Sequence, residues 1–226
     1  MPRSADLRTW PRSNILDAVS QGRIIGKSGG ELPSGFWQIF RWQPHPELAA
    51  HVRRYYGHFE SSSRLVRRRE LPSGEVALII SLGPHYQLVD PASGDSLGTL
   101  RTFVAGLDDT YSLVDSRIPG AAIQVDFSPL GGRRLLRLPM HLVSKRTTEL
   151  NELFGSEADR LIETLYEAPD WQSRFVTLEN FLLSKLRRSE KPSDEIHMIR
   201  DFKDFSGLTP VELLRLYSPE AGTIEV

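Results

Sequence analysis

Between Leu71 and Phe127 the chain is cut into short apolar runs, too brief for helices and separated by turn-forming residues. Nothing else in the sequence limits the fold so strongly. Leu71-Pro72-Ser73-Gly74 is a turn signal and leads into Val76-Ala77-Leu78-Ile79-Ile80, a continuous apolar run suited to a strand covered on both faces. His85 to Val89 follows, then a Pro91-Ala92-Ser93-Gly94-Asp95 loop, and Arg101 to Gly106 and Tyr111 to Asp115 give two more short strands. Ala121 to Phe127 alternates, with Ile123, Val125 and Phe127 on one face and Ala122, Gln124 and Asp126 on the other. Strands this short, at this spacing, predict an antiparallel sandwich or barrel rather than a parallel sheet.

Upstream, residues 1–35 are polar and rich in Arg, Ser and Gly, and read as a mobile tail. Trp37, Ile39 and Phe40 suggest a strand stopped at Pro44-His45-Pro46. Leu48, Val52, Tyr55, Tyr56 and Phe59 then recur at helical spacing and predict a helix from Glu47 to Phe59. The basic run Arg64 to Arg69 reads as a solvated loop rather than a phosphate patch. From Leu135 the period is helical: Ser156 is placed to cap a helix through Tyr166, and Asp170 one from Trp171 to about Arg188. In the second, Phe175, Leu178 and Leu182 make a short apolar seam, either a dimer interface or core laid against the β domain.

The last segment is the most specific motif. Ser193 caps a helix whose Ile196, Ile199, Phe202 and Phe205 form a narrow apolar stripe, with His197, Arg200, Asp201, Lys203 and Asp204 opposite. Gly207 suits a left-handed C-terminal position, and Thr209-Pro210-Val211-Glu212 is a capping box with proline at the first helical position. A helix, a glycine stop and a freshly capped helix are the parts of a helix-turn-helix, whose recognition helix meets base edges and phosphates.

Composition narrows the function classes. The formal charge of -1 gives no global attraction to nucleic acid, so DNA binding would require a local patch. Without cysteine there is no disulfide, thiolate chemistry or zinc-thiolate site. The longest apolar run, Val76 to Leu82, is too short to cross a bilayer, and the N-terminus lacks the apolar stretch of a secretion signal. A soluble cytoplasmic protein with no membrane partner is expected. Gln21 to Ser28 brushes against a phosphate-binding loop but begins with Gln21 instead of glycine. The histidines are scattered without metal-ligand spacing, and no Ser, His and acidic set shows a nucleophile turn. No metal, cofactor or enzyme activity is expected.

In order, Leu71-Pro72-Ser73-Gly74 with Val76 to Leu82, Phe103-Val104-Ala105-Gly106, Asp126-Phe127-Ser128-Pro129, Leu135-Leu136-Arg137-Leu138-Pro139 and Leu150-Asn151-Glu152-Leu153-Phe154-Gly155 resemble the β-rich sensor domain of AraC-type bacterial transcription regulators. His197 to Lys203 with Gly207-Leu208-Thr209-Pro210 is similar to the end of that family's DNA-binding domain. The resemblance implies an α+β chain: a cupin-like antiparallel barrel or sandwich over 36–134, helices over 135–188, and a two-helix remnant of the helix-turn-helix domain over 189–226. It implies promoter DNA as a partner, contacted at Glu195, His197, Arg200 and Lys203, and effector- or dimer-controlled occupancy. An effector pocket inside the β domain would be lined by Trp37, Tyr86, Phe103, Tyr111, Gln124 and Phe127, unless these aromatics simply fill the interior.

The chain departs from the family in three respects. Only residues 189–226 follow Arg188, so the first reader unit, the linker helix and the leading helix of the second unit are expected to be missing. Glu195 brings negative charge towards phosphates. From Arg187 to Val226 six Lys or Arg face eight Asp or Glu, and a net-acidic segment releases few counterions. The alternative is a DNA-incompetent module that sequesters a ligand or pairs with a full-length relative.

Overall fold

The computed structural model describes residues 23–32, 35–61, 65–108, 110–116, 119–136, 147–189 and 203. The described residues form eleven strands: β1 (Ile24–Leu32), β2 (Gly35–Trp42), β3 (Val52–Ser61), β4 (Val66–Glu70), β5 (Val76–Ser81), β6 (Tyr86–Val89), β7 (Ser96–Leu100), β8 (Thr102–Ala105), β9 (Ser112–Ser116), β10 (Gly120–Phe127) and β11 (Thr147–Glu149). Four α-helices accompany them: α1 (Pro129–Leu136), α2 (Leu150–Phe154), α3 (Ser156–Glu167) and α4 (Trp171–Arg188).

The strands make two antiparallel sheets, one ordered β1-β2-β3-β10-β5-β8-β11 and the other β4-β9-β6-β7. The fold is a mixed α+β sandwich, not a closed barrel. Runs expected at 36–40, 76–80, 85–89, 101–106, 111–115 and 121–127 all fall on strands.

Several expectations about the elements are overturned. The segment Glu47 to Phe59 is not a helix: a 3-10 turn over Pro46–Leu48 leads into β3. Its apolar residues fit two periods, and the pairing of β3 with β2 on one side and β10 on the other satisfies its backbone and selects the period of two. The tail ends earlier than residue 35, because β1 pairs along β2 from Ile24. The basic run is not a solvated loop, since Arg67, Arg68 and Arg69 lie on β4, paired with β9. The stretch 135–188 is not wholly helical: it contains β11, while α1 starts earlier, at Pro129. Strand β7, exposed along most of its length, carries almost no apolar signal.

Register gives the large sheet two unlike faces. Val125 sits opposite Tyr55 and Leu78, and Ile123 opposite Gly57 and Ile80. This face is buried under helices: Phe175 of α4 stacks on Trp42 at 5.1 Å and meets Tyr55 edge-on at 5.3 Å, and the Tyr55 hydroxyl donates to the Phe175 carbonyl at 3.0 Å. Gly57 permits the approach, because a Cβ there would lie 2.2 Å from the Trp171 ring. Asp170 caps α4 as expected, accepting from the Ser173 amide at 2.7 Å, whereas Gly155, not Ser156, occupies the cap position of α3. Mid-helix, buried Glu179 accepts from Arg23 and from the His45 backbone N–H at 2.7 Å, and from the Trp42 indole at 3.4 Å. That carboxylate ties the entry of β1 and the exit of β2 to α4.

Candidate ligand layer between the sheets

The other face of the large sheet mixes polar side chains with Trp37, Ile39, Ile79 and Phe103. Alternation along β3 turns Tyr56, His58 and Glu60 away from the helices, and register places Gln124 beside Tyr56 and Asp126 beside Arg54. Phe103 shares this face, two ladder steps from Gln124 through Ile79. The small sheet closes over it. Arg68 of β4 forms an ion pair with Glu60 and donates to the Ser116 hydroxyl at 2.6 Å, and Tyr86 of β6 meets Phe103 edge-to-face at 6.0 Å. A cross-sheet ion pair and an aromatic pair therefore bridge the two sheets.

Protonation follows from burial. Desolvation, reinforced by the Arg68 charge, lowers the His58 imidazole to about 4, so it is neutral at pH 7. Burial pushes the Tyr86 phenol up to about 12 and raises Tyr56 likewise. Asp126 is raised by burial, against the hydrogen bond it accepts from Gln124 at 2.8 Å and the guanidinium of Arg54 at 2.8 Å. The layer holds neutral hydroxyls and an imidazole, an amide and two ion pairs, Arg68–Glu60 and Arg54–Asp126, between aromatic walls. Such a set offers both donors and acceptors to a polar small molecule. Among the described residues no three His, Asp or Glu side chains converge as a metal site would require.

Of the six residues assigned to an effector pocket, Trp37, Tyr86, Phe103 and Gln124 lie on this layer's faces, Trp37 directly beside Glu60. Phe127 does not: it is fully buried on the helix-facing side, in phase with Val125. Tyr111 lies beneath the Arg69 guanidinium at 4.4 Å, just ahead of β9. Trp37, on the layer side beside Glu60, packs its ring against Gly30 of β1. Sequence reading missed Tyr56, His58, Glu60 and Arg68, because a helix was expected over the first two and a loop over the last. Reading Tyr55, Gly57 and Phe59 against Tyr56, His58 and Glu60 as a two-residue alternation is the signal that finds them.

Phe175, Leu178 and Leu182 are 0%, 0% and 2% exposed, inside the core and out of reach of a second copy. The core alternative is the one the structure takes. Glu195, His197 and Arg200 lie outside the described residues; Lys203 is described and exposed. A groove of about 260 Å³ runs between α3 and α4, lined by Arg160, Leu161, Thr177, Phe181 and Arg188 among others, with no residue from either sheet. No helix among the described residues is long and apolar enough to cross a membrane.

The sandwich is the part of the chain that is similar to something known. Residues 40–149 match the model of a domain of unknown function, DUF6597. The match runs from Phe40 in β2 to Glu149 at the end of β11. It takes in the candidate layer and excludes β1 and helices α2 to α4. No curated protein matches the chain.

Proposed function

We propose that this protein is an AraC-type transcription regulator in which the two-sheet domain senses a small polar effector and the segment after α4 reads DNA. The observation that carries this reading is that neighbouring residues of β3 face the candidate layer and the helix that leads to the reader. Tyr56 and His58 point into the layer, while Tyr55 donates to the Phe175 carbonyl of α4 and Gly57 lies under Trp171. A ligand that displaces β3 thereby acts on α4. Only Ser189, Glu190, Lys191 and Pro192 separate α4 from the helix-turn-helix-like segment. The effector works by favouring one of two positions of α4, as far as its affinities for the two differ.

Fluorescence anisotropy of the purified chain on a promoter-length DNA pool, followed over a salt series, tests the reading. Specific binding that weakens with salt, and weakens further in Arg200→Ala and Lys203→Ala, is the expected result. No enrichment of any sequence at low salt rejects DNA reading. The acidic excess from Arg187 to Val226 favours a second reading, a module that binds a small molecule or a related chain without touching DNA. A ligand-induced rise in melting temperature with no DNA binding selects it.

A further inference from the structure

The formal charge of the chain is -1, yet four of its cations gather where α4 ends. Lys185, Arg187 and Arg188 lie in the last turn of that helix, and Arg134 comes from the last turn of α1. Arg134 donates to the ring of buried His51 at 3.1 Å and reaches the hydroxyl of Ser189, the residue that caps α4, at 3.5 Å. Burial, reinforced by the Arg134 charge, lowers the His51 pKa and keeps that ring an acceptor. The guanidinium is thus held in place by neutral groups and not by a carboxylate.

Two carboxylates answer these four cations. Glu157 of α3 pairs with Lys185, whose ammonium lies buried against the Phe154 and Phe181 rings, and also with Arg188 at 3.1 Å. One carboxylate shared by two cations leaves a positive charge over. Arg187 forks onto Glu47, in the turn before β3, at 2.8 and 3.2 Å. The negative end of the α4 dipole offsets part of the excess but supplies less than a full charge. The side chains of Arg187 and Arg188 are each 61% exposed, so their ion pairs are screened and exchange readily for another anion. The chain that follows needs such help: residues 189–226 carry four Lys or Arg against eight Asp or Glu.

We propose that the end of α4, with Arg134 of α1 beside it, is a contact surface for the phosphate backbone of duplex DNA. On it Arg187 and Arg188 exchange Glu47 and Glu157 for phosphates, and Arg134 supplies a third cation. The surface rests on DNA being the partner, as read above. It adds a contact made by the helices of the sandwich domain, which positions a duplex without reading its bases.

Fluorescence anisotropy of the full chain on random-sequence duplex DNA, over a salt series, tests the proposal. Arg187→Ala and Arg134→Ala each lower the slope of log affinity against log salt by about one, equally on every sequence. Glu47→Gln removes the competitor for Arg187 and tightens binding by roughly two- to fivefold, a gain that misfolding cannot imitate. Arg67→Ala, in the small sheet on the far side of the large one, leaves the slope unchanged. A slope indifferent to both arginine variants overturns the proposal and leaves DNA reading by Arg200 and Lys203 in place. The expected slope changes with no sequence preferred uphold the proposal and reject sequence reading. No binding to any duplex at low salt overturns both.

Discussion

His58 is a histidine held neutral by its surroundings. Strand β3 turns it between the sheets, where solvation is lost and Arg68 is close, and its imidazole titrates at about 4 instead of the usual 6.5. In the unfolded chain the ring takes a proton as pH falls through 6.5; in the folded chain it resists until about 4. The unfolded state therefore binds more protons in this window. The stability tied to His58 is present above pH 6.5 and is lost as pH falls towards 4. The shift corresponds to a loss on the order of 3 kcal/mol. Urea unfolding of the wild type and His58→Gln at pH 7 and pH 4 measures it: the wild type should lose more stability than the variant, and parallel losses would refute the assignment. The histidine was visible in the sequence, but its burial was not. Nothing local distinguishes His58 from exposed His85; only the closing of the small sheet does.

At the scale of elements, the apolar pattern served well where one period fits and failed where two do. Ala121 to Phe127 alternates without competition and forms β10. Asp170 ahead of Trp171 has a single reading, and α4 begins there. Between Glu47 and Phe59, helical and extended spacings both collect apolar residues, and pairing with β2 and β10 settled the matter by long-range hydrogen bonds. The α4 seam posed a similar choice between core and dimer. With Phe175 fully buried against Trp42, Tyr55 and Trp171, Phe175→Ala should cost about 4 kcal/mol in unfolding free energy. That cost should be the same at every protein concentration in denaturant titrations. A cost that shrinks on dilution would return the seam to an interface.

At the scale of the whole molecule, an ion pair bridges the two sheets. Arg68 reaches across to Glu60, a side chain 18% exposed, and the arginine is itself 39% exposed. Solvent screening limits the pair's net worth, yet removing one member leaves the other poorly compensated. Glu60→Gln should therefore lower stability by about 1 kcal/mol, and Arg68→Met in the same chain should recover most of it. Thermal melts of the single and double variants decide this; strictly additive losses would mean the two residues are not coupled.

The sequence by itself determined the class of fold: short alternating runs and turn residues leave few options besides antiparallel sheets with helices after them, because strand alternation and helix capping are local. The tertiary structure alone decided which face of each strand meets the helices and which the other sheet, that β1 and β4 join the sheets, and that Tyr56, His58, Glu60 and Arg68 meet in one layer. Those outcomes rest on pairings between residues far apart in the chain. Backbone groups there are satisfied only by partners that local pattern does not specify.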